Sequence, residues 1–203
     1  MIELVIFDLD GVLVDACEWH RIALNEALKE VGGYEIPLED HYEIFNGIPT
    51  KEKLDILVKQ NIIKERDRKT IYEKKQSKTT ETINQYCKIN KEKIEMIMSL
   101  KEKGVRVACY TNSIRETATL MLEKTGVLHL FDLFLSSQDV EVPKPSPMGY
   151  VQIMKHFGVK EENTLIIEDS PKGFEAAYKS GAKVFRVINQ DHVNAKLFKE
   201  FLL

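Results

Sequence analysis

Leu4-Val5-Ile6-Phe7-Asp8-Leu9-Asp10-Gly11-Val12-Leu13-Val14-Asp15 is an apolar run that ends in two carboxylates one residue apart. A run that is apolar at every position suits a strand buried on both faces, as in a parallel sheet. Asp10-Gly11 by itself is also a good hairpin turn. The next segment, however, has helical patterning and supplies no second strand. The strand at residues 2–7 must therefore pair with segments farther along, and residues 105–110, 133–135, 164–167 and 184–187 are short apolar runs of the same kind. Helical faces separate them: Ile94, Ile97, Met98 and Leu100; Ala118, Leu120, Met121 and Leu122; Phe174, Ala177 and Tyr178. Gly104, Gly126, Gly158 and Gly181 stand as helix stops before the next strand. From about residue 90 helix and strand alternate and end on a helix. The pattern predicts a five-stranded α/β fold, a Rossmann-like doubly wound parallel sheet.

Residues 16–86 break that rhythm. They hold no convincing strand but several helical segments, at 19–31, 38–46, 51–60 and roughly 65–84. Pro37 suits a first helical turn and Thr50 an N-cap. The expected organisation is an α/β core domain made of residues 1–15 and 87–203, with an all-helical cap domain, residues 16–86, inserted after the first strand. The very polar stretch 64–80 reads as a mobile tip of that cap. No internal repeat or low-complexity linker is present.

A 203-residue chain with 43% hydrophobic and 30% charged residues has an ordinary soluble globular composition. A net charge of -3 leaves no basic field for a phosphate backbone, so no nucleic acid is expected as a partner. Lys91-Glu92-Lys93 and Lys101-Glu102-Lys103 interleave charge and read as solvated helix faces. Cys17, Cys87 and Cys109 are odd in number, widely spaced and lack a C-x-x-C pair, which argues against both a disulfide framework and a zinc site. The chain starts on a strand-like segment without a basic leader, and no run is long enough to span a bilayer, so a cytoplasmic protein with no membrane partner is expected.

In an open α/β sheet ligands bind beyond the carboxyl ends of the strands. Asp8 to Asp15 follow the first predicted strand, Thr111-Asn112-Ser113 the second, Pro143-Lys144-Pro145 the third and Glu168-Asp169-Ser170 the fourth. Lys144 alone reads as a rigid exposed loop residue, and Glu168-Asp169-Ser170 alone as a helix N-terminus. Together they bring carboxylates, a hydroxyl and an ammonium to one edge. Oxygen-only ligands with no nearby His or thiol favour Mg²⁺. For phosphoryl transfer, Asp8 can act as the nucleophile and form an aspartyl phosphate. Asp10 can protonate the leaving oxygen and then deprotonate water. Lys144 supplies a point charge for the phosphate and for Asp8. Thr111 and the Asn112 backbone can hydrogen-bond phosphate oxygens, and Asp8, Asp10, Asp169 and Glu168 make up the expected metal set.

These motifs resemble those of haloacid dehalogenase superfamily phosphatases of the β-phosphoglucomutase-like group. That group carries D-x-D-G-[VT]-L-x-D, [ST]-N-[SA], K-P-x-P and E-D-S-x-x-G. Here they stand at residues 8–15, 111–113, 144–147 and 168–173, in the same order. The resemblance spans essentially the whole chain, cap included. It implies Mg²⁺-dependent hydrolysis of a small phosphorylated metabolite, a sugar or polyol phosphate, by a monomer or weak dimer. A sugar-phosphate mutase is the alternative reading. Mutases of the group carry an arginine in a G-x-x-R segment of the cap; here Gly47-Ile48-Pro49-Thr50 puts Thr50 in that place, with Lys51 no equivalent clamp. Asp10 counts against dehalogenase chemistry, and Asp8 with Asp10 against a non-catalytic binding protein of the same fold. In the cap, His20 matches a histidine of the mutases. His20, Thr50 and Lys75 are the expected substrate-contacting residues, although the Lys-rich surroundings of Lys75 favour a solvated face. Trp19 reads as cap core.

Overall fold

A computed structural model describes residues 1–199. Its centre is a five-stranded sheet in which β1 (Leu4–Phe7) lies between β2 (Arg106–Tyr110) and β4 (Thr164–Glu168). Outside these lie β3 (Leu133–Leu135) and β5 (Lys183–Arg186), giving the order β3-β2-β1-β4-β5 with every pairing parallel. β1 pairs through Phe7 with Cys109 on one side and Ile167 on the other. The chain works outward from β1 to β3 and then returns to the other side of β1. The ends of β1 and β4 therefore flank the switch point where such sheets bind ligands.

β1 is apolar throughout because it feeds two cores. Its period of two sends Val5 and Phe7 to one face, against Met96 and Ile97 of α5 (Lys91–Glu102) and Met121 and Leu122 of α6 (Arg115–Thr125). Leu4 and Ile6 go to the other face, against Tyr150 and Ile153 of α7 (Met148–Phe157) and Ala176 and Ala177 of α8 (Pro171–Lys179). The helix stops fall as the glycines predict; at Gly126 the backbone turns to φ +84°, a conformation that strains any residue with a Cβ.

The cap contains α1 (Cys17–Gly32), the short α2 (Leu38–Asp40), which runs on as a π-helical turn (His41–Phe45), then α3 (Thr50–Lys59) and α4 (Arg68–Tyr86). Leu24, Leu28, Ile36, Phe45, Leu54, Leu57 and Ile71 form its own core. Thr50 is the first residue of α3 and caps nothing; Pro49 precedes it with extended backbone. The polar stretch 64–80 is no free tip. Most of it is in α4, which packs on α1 and lays Lys74 and Lys78 against Glu30, both at 2.7 Å. Ala16 and Ile83, at the two joins, pack in the core beside the sheet, and so does Trp19, which therefore does not belong to the cap core.

Two further expectations are corrected. Lys93 is buried, not on a solvated face: its ammonium donates to the carbonyls of Gln190, at 2.5 Å, and Val193. No α-helix follows β5 among the described residues, only the 3₁₀ turns Gln190–His192 and Leu197–Lys199. There Asn189 Oδ1 accepts from Asp191 N–H and Asn194 Oδ1 from Lys196 N–H, local bonds that compete with helix formation. No helix among the described residues is long and apolar enough to cross a membrane.

Candidate active site

A cavity of about 370 Å³ lies between the carboxyl edge of the sheet and the cap. Its core wall starts where β1 stops. Asp8 is 5% exposed, and its Oδ1 accepts from Lys144 Nζ at 2.6 Å. The same ammonium donates to Glu168 Oε1 at 2.5 Å, and Tyr150 Oη donates to that oxygen at 2.7 Å. Lys144 Nζ also lies 4.9 Å from the ring centroid of Tyr110 and 5.1 Å from that of Tyr150, a favourable place for a desolvated cation. One lysine is thereby locked between two carboxylates and two ring faces.

Local sequence makes this approach possible. Gly11 has φ +85°, and a Cβ there would come within 2.1 Å of Asp169 Oδ2. At Gly173 a Cβ would meet Glu168 Oε1 at 2.0 Å. Ser170 caps α8 by accepting from Gly173 N–H at 3.0 Å, with Pro171 in the first turn, so the helix starts directly against Glu168.

Asp8, Glu168 and Asp169 each offer an oxygen within 4.8 Å of the others, the one such acidic or metal-ligating group among the described residues. Asp169 Oδ1 is buried and has no partner. Burial pushes the Asp8 carboxyl well above its usual range; Lys144 opposes this, and Glu168, Asp169 and Asp10 reinforce it. Asp169 is pushed up to about 7 by burial and then by Glu168 and Asp10. An all-oxygen set, short of positive charge and with an unpaired lone pair, fits a hard divalent cation such as Mg²⁺.

The Asp10 carboxylate does not join that group, contrary to the sequence expectation. It faces the cap: Oδ1 pairs with His20 Nε2 at 2.9 Å, and Oδ2 accepts from Ser113 Oγ at 2.9 Å and Thr111 Oγ1 at 3.2 Å. Burial raises its pKa, yet His20, Ser113 and Thr111 together hold it at about 2. His20 is itself pushed down, first by burial and then by Lys75. The neutral ring fits one tautomer. Nδ1 accepts from Lys75 Nζ at 3.2 Å, and Nε2–H donates to Asp10. Lys75 is therefore 6% exposed and in the site, not on a solvated face. Burial and the neighbouring Lys53 push it down to about 7.

The Asn112 side chain has a different task from the phosphate contact expected of its backbone. It brackets Lys144, with Nδ2 donating to the Lys144 carbonyl at 3.0 Å and Oδ1 accepting from the Lys144 N–H at 3.0 Å. Nδ2 also donates to the Gly47 carbonyl at 2.8 Å, which ties the cap loop to both core loops. Thr50 lines the cavity, and Lys51 beside it is exposed at its rim. The residues that sequence reading missed are Ser113, Lys53 and His41. Ser113 lay in view as the third member of Thr111-Asn112-Ser113. Lys53 follows Thr50 by three residues, one helical turn, which becomes informative only once α3 is known to face the cavity.

The family model described as haloacid dehalogenase-like hydrolase matches residues 5–187. A protein of Thermotoga maritima named phosphorylated carbohydrates phosphatase is 28% identical over 191 residues, covering 92% of this chain and 86% of its own. A phosphoglycolate phosphatase of Nitrosospira multiformis is 27% identical, with 92% and 83% covered. Among solved structures, β-phosphoglucomutase of Clostridium difficile superposes with a TM-score of 0.83 at 22% identity, over 100% of this chain and 97% of that one.

Proposed function

Since the chain belongs to the haloacid dehalogenase-like hydrolases, we propose that it is a Mg²⁺-dependent phosphatase of small phosphomonoesters, sugar or polyol phosphates, with Asp8 as its nucleophile. That it is a phosphoric monoester hydrolase follows from the family and from relatives named as phosphatases. The observation that carries the finer reading is the Lys144–Asp8 contact of 2.6 Å beside the Asp8, Glu168 and Asp169 oxygens.

Asp8 Oδ attacks phosphorus as the bond to the leaving oxygen breaks, giving an aspartyl phosphate and an alcohol. Water then attacks the same phosphorus, loses a proton to Asp10 and frees Asp8 and inorganic phosphate. Lys144 opposes the burial and the neighbouring carboxylates that push Asp8 up, and orients it. With its present partners Asp10 is an ionised base, ready for the second half. To protonate the leaving oxygen in the first half it must first take up a proton, which the His20, Ser113 and Thr111 bonds oppose; loosening the His20 contact is the way to allow it. Asp8, Asp169 and Glu168 would hold Mg²⁺, which supplies charge neutralisation between the carboxylates and the incoming phosphate.

Phosphate release across a panel of sugar and polyol phosphates, with and without Mg²⁺, tests this reading. Borohydride added after an acid quench should convert Asp8 to homoserine, detected by mass spectrometry, in the native protein and not in Asp8→Asn. Undiminished turnover by Asp8→Asn overturns the assignment. Glucose 6-phosphate formed from β-glucose 1-phosphate and a bisphosphate primer, without free phosphate, would make a sugar hydroxyl the acceptor instead of water.

A further inference from the structure

The cavity has a second wall that the chemistry at Asp8 does not use. Lys53 on α3 is 8% exposed and lines the cavity, and no hydrogen bond or ion pair of its ammonium is found among the described residues. Four buried side-chain polar atoms among the described residues have no partner, on His41, Gln76, Tyr110 and Asp169; all of these residues but Tyr110 line this one cavity. Asp169 belongs to the core wall. His41 Nδ1 and Gln76 Oε1 belong to the cap wall with Lys53. Buried polar groups without protein partners on one cavity wall are costly unless a polar ligand meets them.

The two walls have opposite charge. Asp8, Asp10 and Asp169 line the core wall with Lys144, while Lys53 and Lys75 look out of the cap beside His41, whose ring burial and Lys53 keep neutral. The cap's carboxylate on the lining, Glu52, sits exposed at the rim. Asp10, the acid that attracts both cap lysines, is already bonded by His20, Ser113 and Thr111. Burial drives the Lys53 ammonium down to about 8, so it is mostly charged at neutral pH while enclosed and unpaired. A neutral ligand leaves that charge as it is. An anion relieves it.

We propose that Lys53, with His41 and Gln76 on the same wall, binds a second anionic group of the substrate, at the end away from the phosphate that reacts at Asp8. This rests on the phosphatase reading above and narrows its substrate class to phosphomonoesters with two anionic ends. The buried His41 ring meets an anion with Nδ1–H, and Gln76 meets it with its amide once turned. Lys53 supplies the charge.

The test is the ratio of kcat/KM for a bisphosphate to that for the matched monophosphate, read by phosphate release with fructose 1,6-bisphosphate against fructose 1-phosphate and fructose 6-phosphate. The native ratio should exceed one clearly. Lys53→Met should lower that ratio by about 10- to 100-fold, the worth of a charge-assisted hydrogen bond, and Lys53→Arg should retain most of it. A phosphorylated carboxylate, 2-phosphoglycolate against ethyl phosphate, makes the second arm and tells a carboxylate from a phosphate as the second group. A native ratio near one in both arms, or an equal loss by Lys53→Met on one-ended and two-ended compounds, overturns the proposal. A higher melting temperature for Lys53→Met than for the native protein shows that the variant folds. Calorimetric binding of the same pairs to Asp8→Asn, with and without Lys53→Met, gives the same ratio without turnover. It decides the subsite even if no compound is hydrolysed, the outcome that would sink the phosphatase reading alone.

Discussion

Lys144 and Lys53 are buried lysines that face the same cavity from opposite walls, and the fold holds them in opposite ways. Lys144, 2% exposed, bonds to Asp8 and Glu168 and lies over the rings of Tyr110 and Tyr150. Lys53, 8% exposed, has none of these. On the core wall the Lys144 charge is already fixed by its partners, which limits reorganisation around Asp8 during reaction. The cap wall carries its charge uncompensated, at a cost in stability, as groups that await a ligand do. On the function proposed above, reaction chemistry belongs to the wall that pairs Lys144 and selection to the wall that leaves Lys53 unpaired.

The strongest way to break this comparison is on the core side. Asp8→Asn should lower phosphate release by about 10⁴-fold or more, the usual scale for losing a nucleophile, while leaving the fold intact in circular dichroism. Lys144→Met should cost about 3–5 kcal/mol of stability in urea denaturation, because it leaves Asp8 and Glu168 as uncompensated buried neighbours. A Lys144→Met protein as stable as the native one would mean that the two walls are not built differently.

Lys53→Met is the matching change on the cap side, with the opposite sign. The folded Lys53 titrates at about 8 against 10.5 when free, so between these pH values the unfolded chain binds the extra proton and stability rises with pH. Below pH 8 the charge costs on the order of 3 kcal/mol. The substitution should therefore stabilise the protein at pH 7, and this gain should fade as pH rises through 8 towards 10.5. Lys53 is itself one cause of the Lys75 shift, so the substitution also relieves Lys75, a further gain that is full below about pH 7 and fades as Lys75 loses its proton. Urea denaturation of both proteins at several pH values measures this. A gain that does not change with pH would place its origin outside the Lys53 charge.

The two walls were also unequally legible in sequence. β1 and the loops after β1, β2, β3 and β4 could be read because each apolar run stops at a short polar signature, and sheet topology alone brings strand ends together. The cap had no such rule. Lys75 lies in Glu73-Lys74-Lys75-Gln76-Ser77-Lys78, where only the rotation of α4 decides that Lys75 points inward while Lys74 and Lys78 reach Glu30. Lys53 and Lys51 are equally anonymous until α3 starts at Thr50 and turns one of them inside. Lys93 shows the same failing in the core: a Lys-Glu-Lys run looks solvated until a distant loop offers carbonyls to it.

The smallest expected effect sharpens where the walls meet, at the Lys75–His20–Asp10 chain. The Lys75 ammonium fixes His20 with Nδ1 as acceptor, so that Nε2 carries the proton given to Asp10. Asp10 is held at about 2 in part by that bond. His20→Ala removes it, and the Asp10 carboxyl must rise. If Asp10 acts as the base on water, the acid limb of kcat/KM should move to higher pH, and turnover at its plateau should fall by about tenfold, a fraction of what general acid–base catalysis supplies. Lys75→Met should move the limb less, because the lost ammonium charge raises Asp10 while the His20 ring, no longer held down by Lys75, charges and holds it low. A pH profile of phosphate release for the three proteins reads both shifts. An unmoved acid limb in His20→Ala would show that the titrating base is not Asp10, and the cap would then govern binding alone.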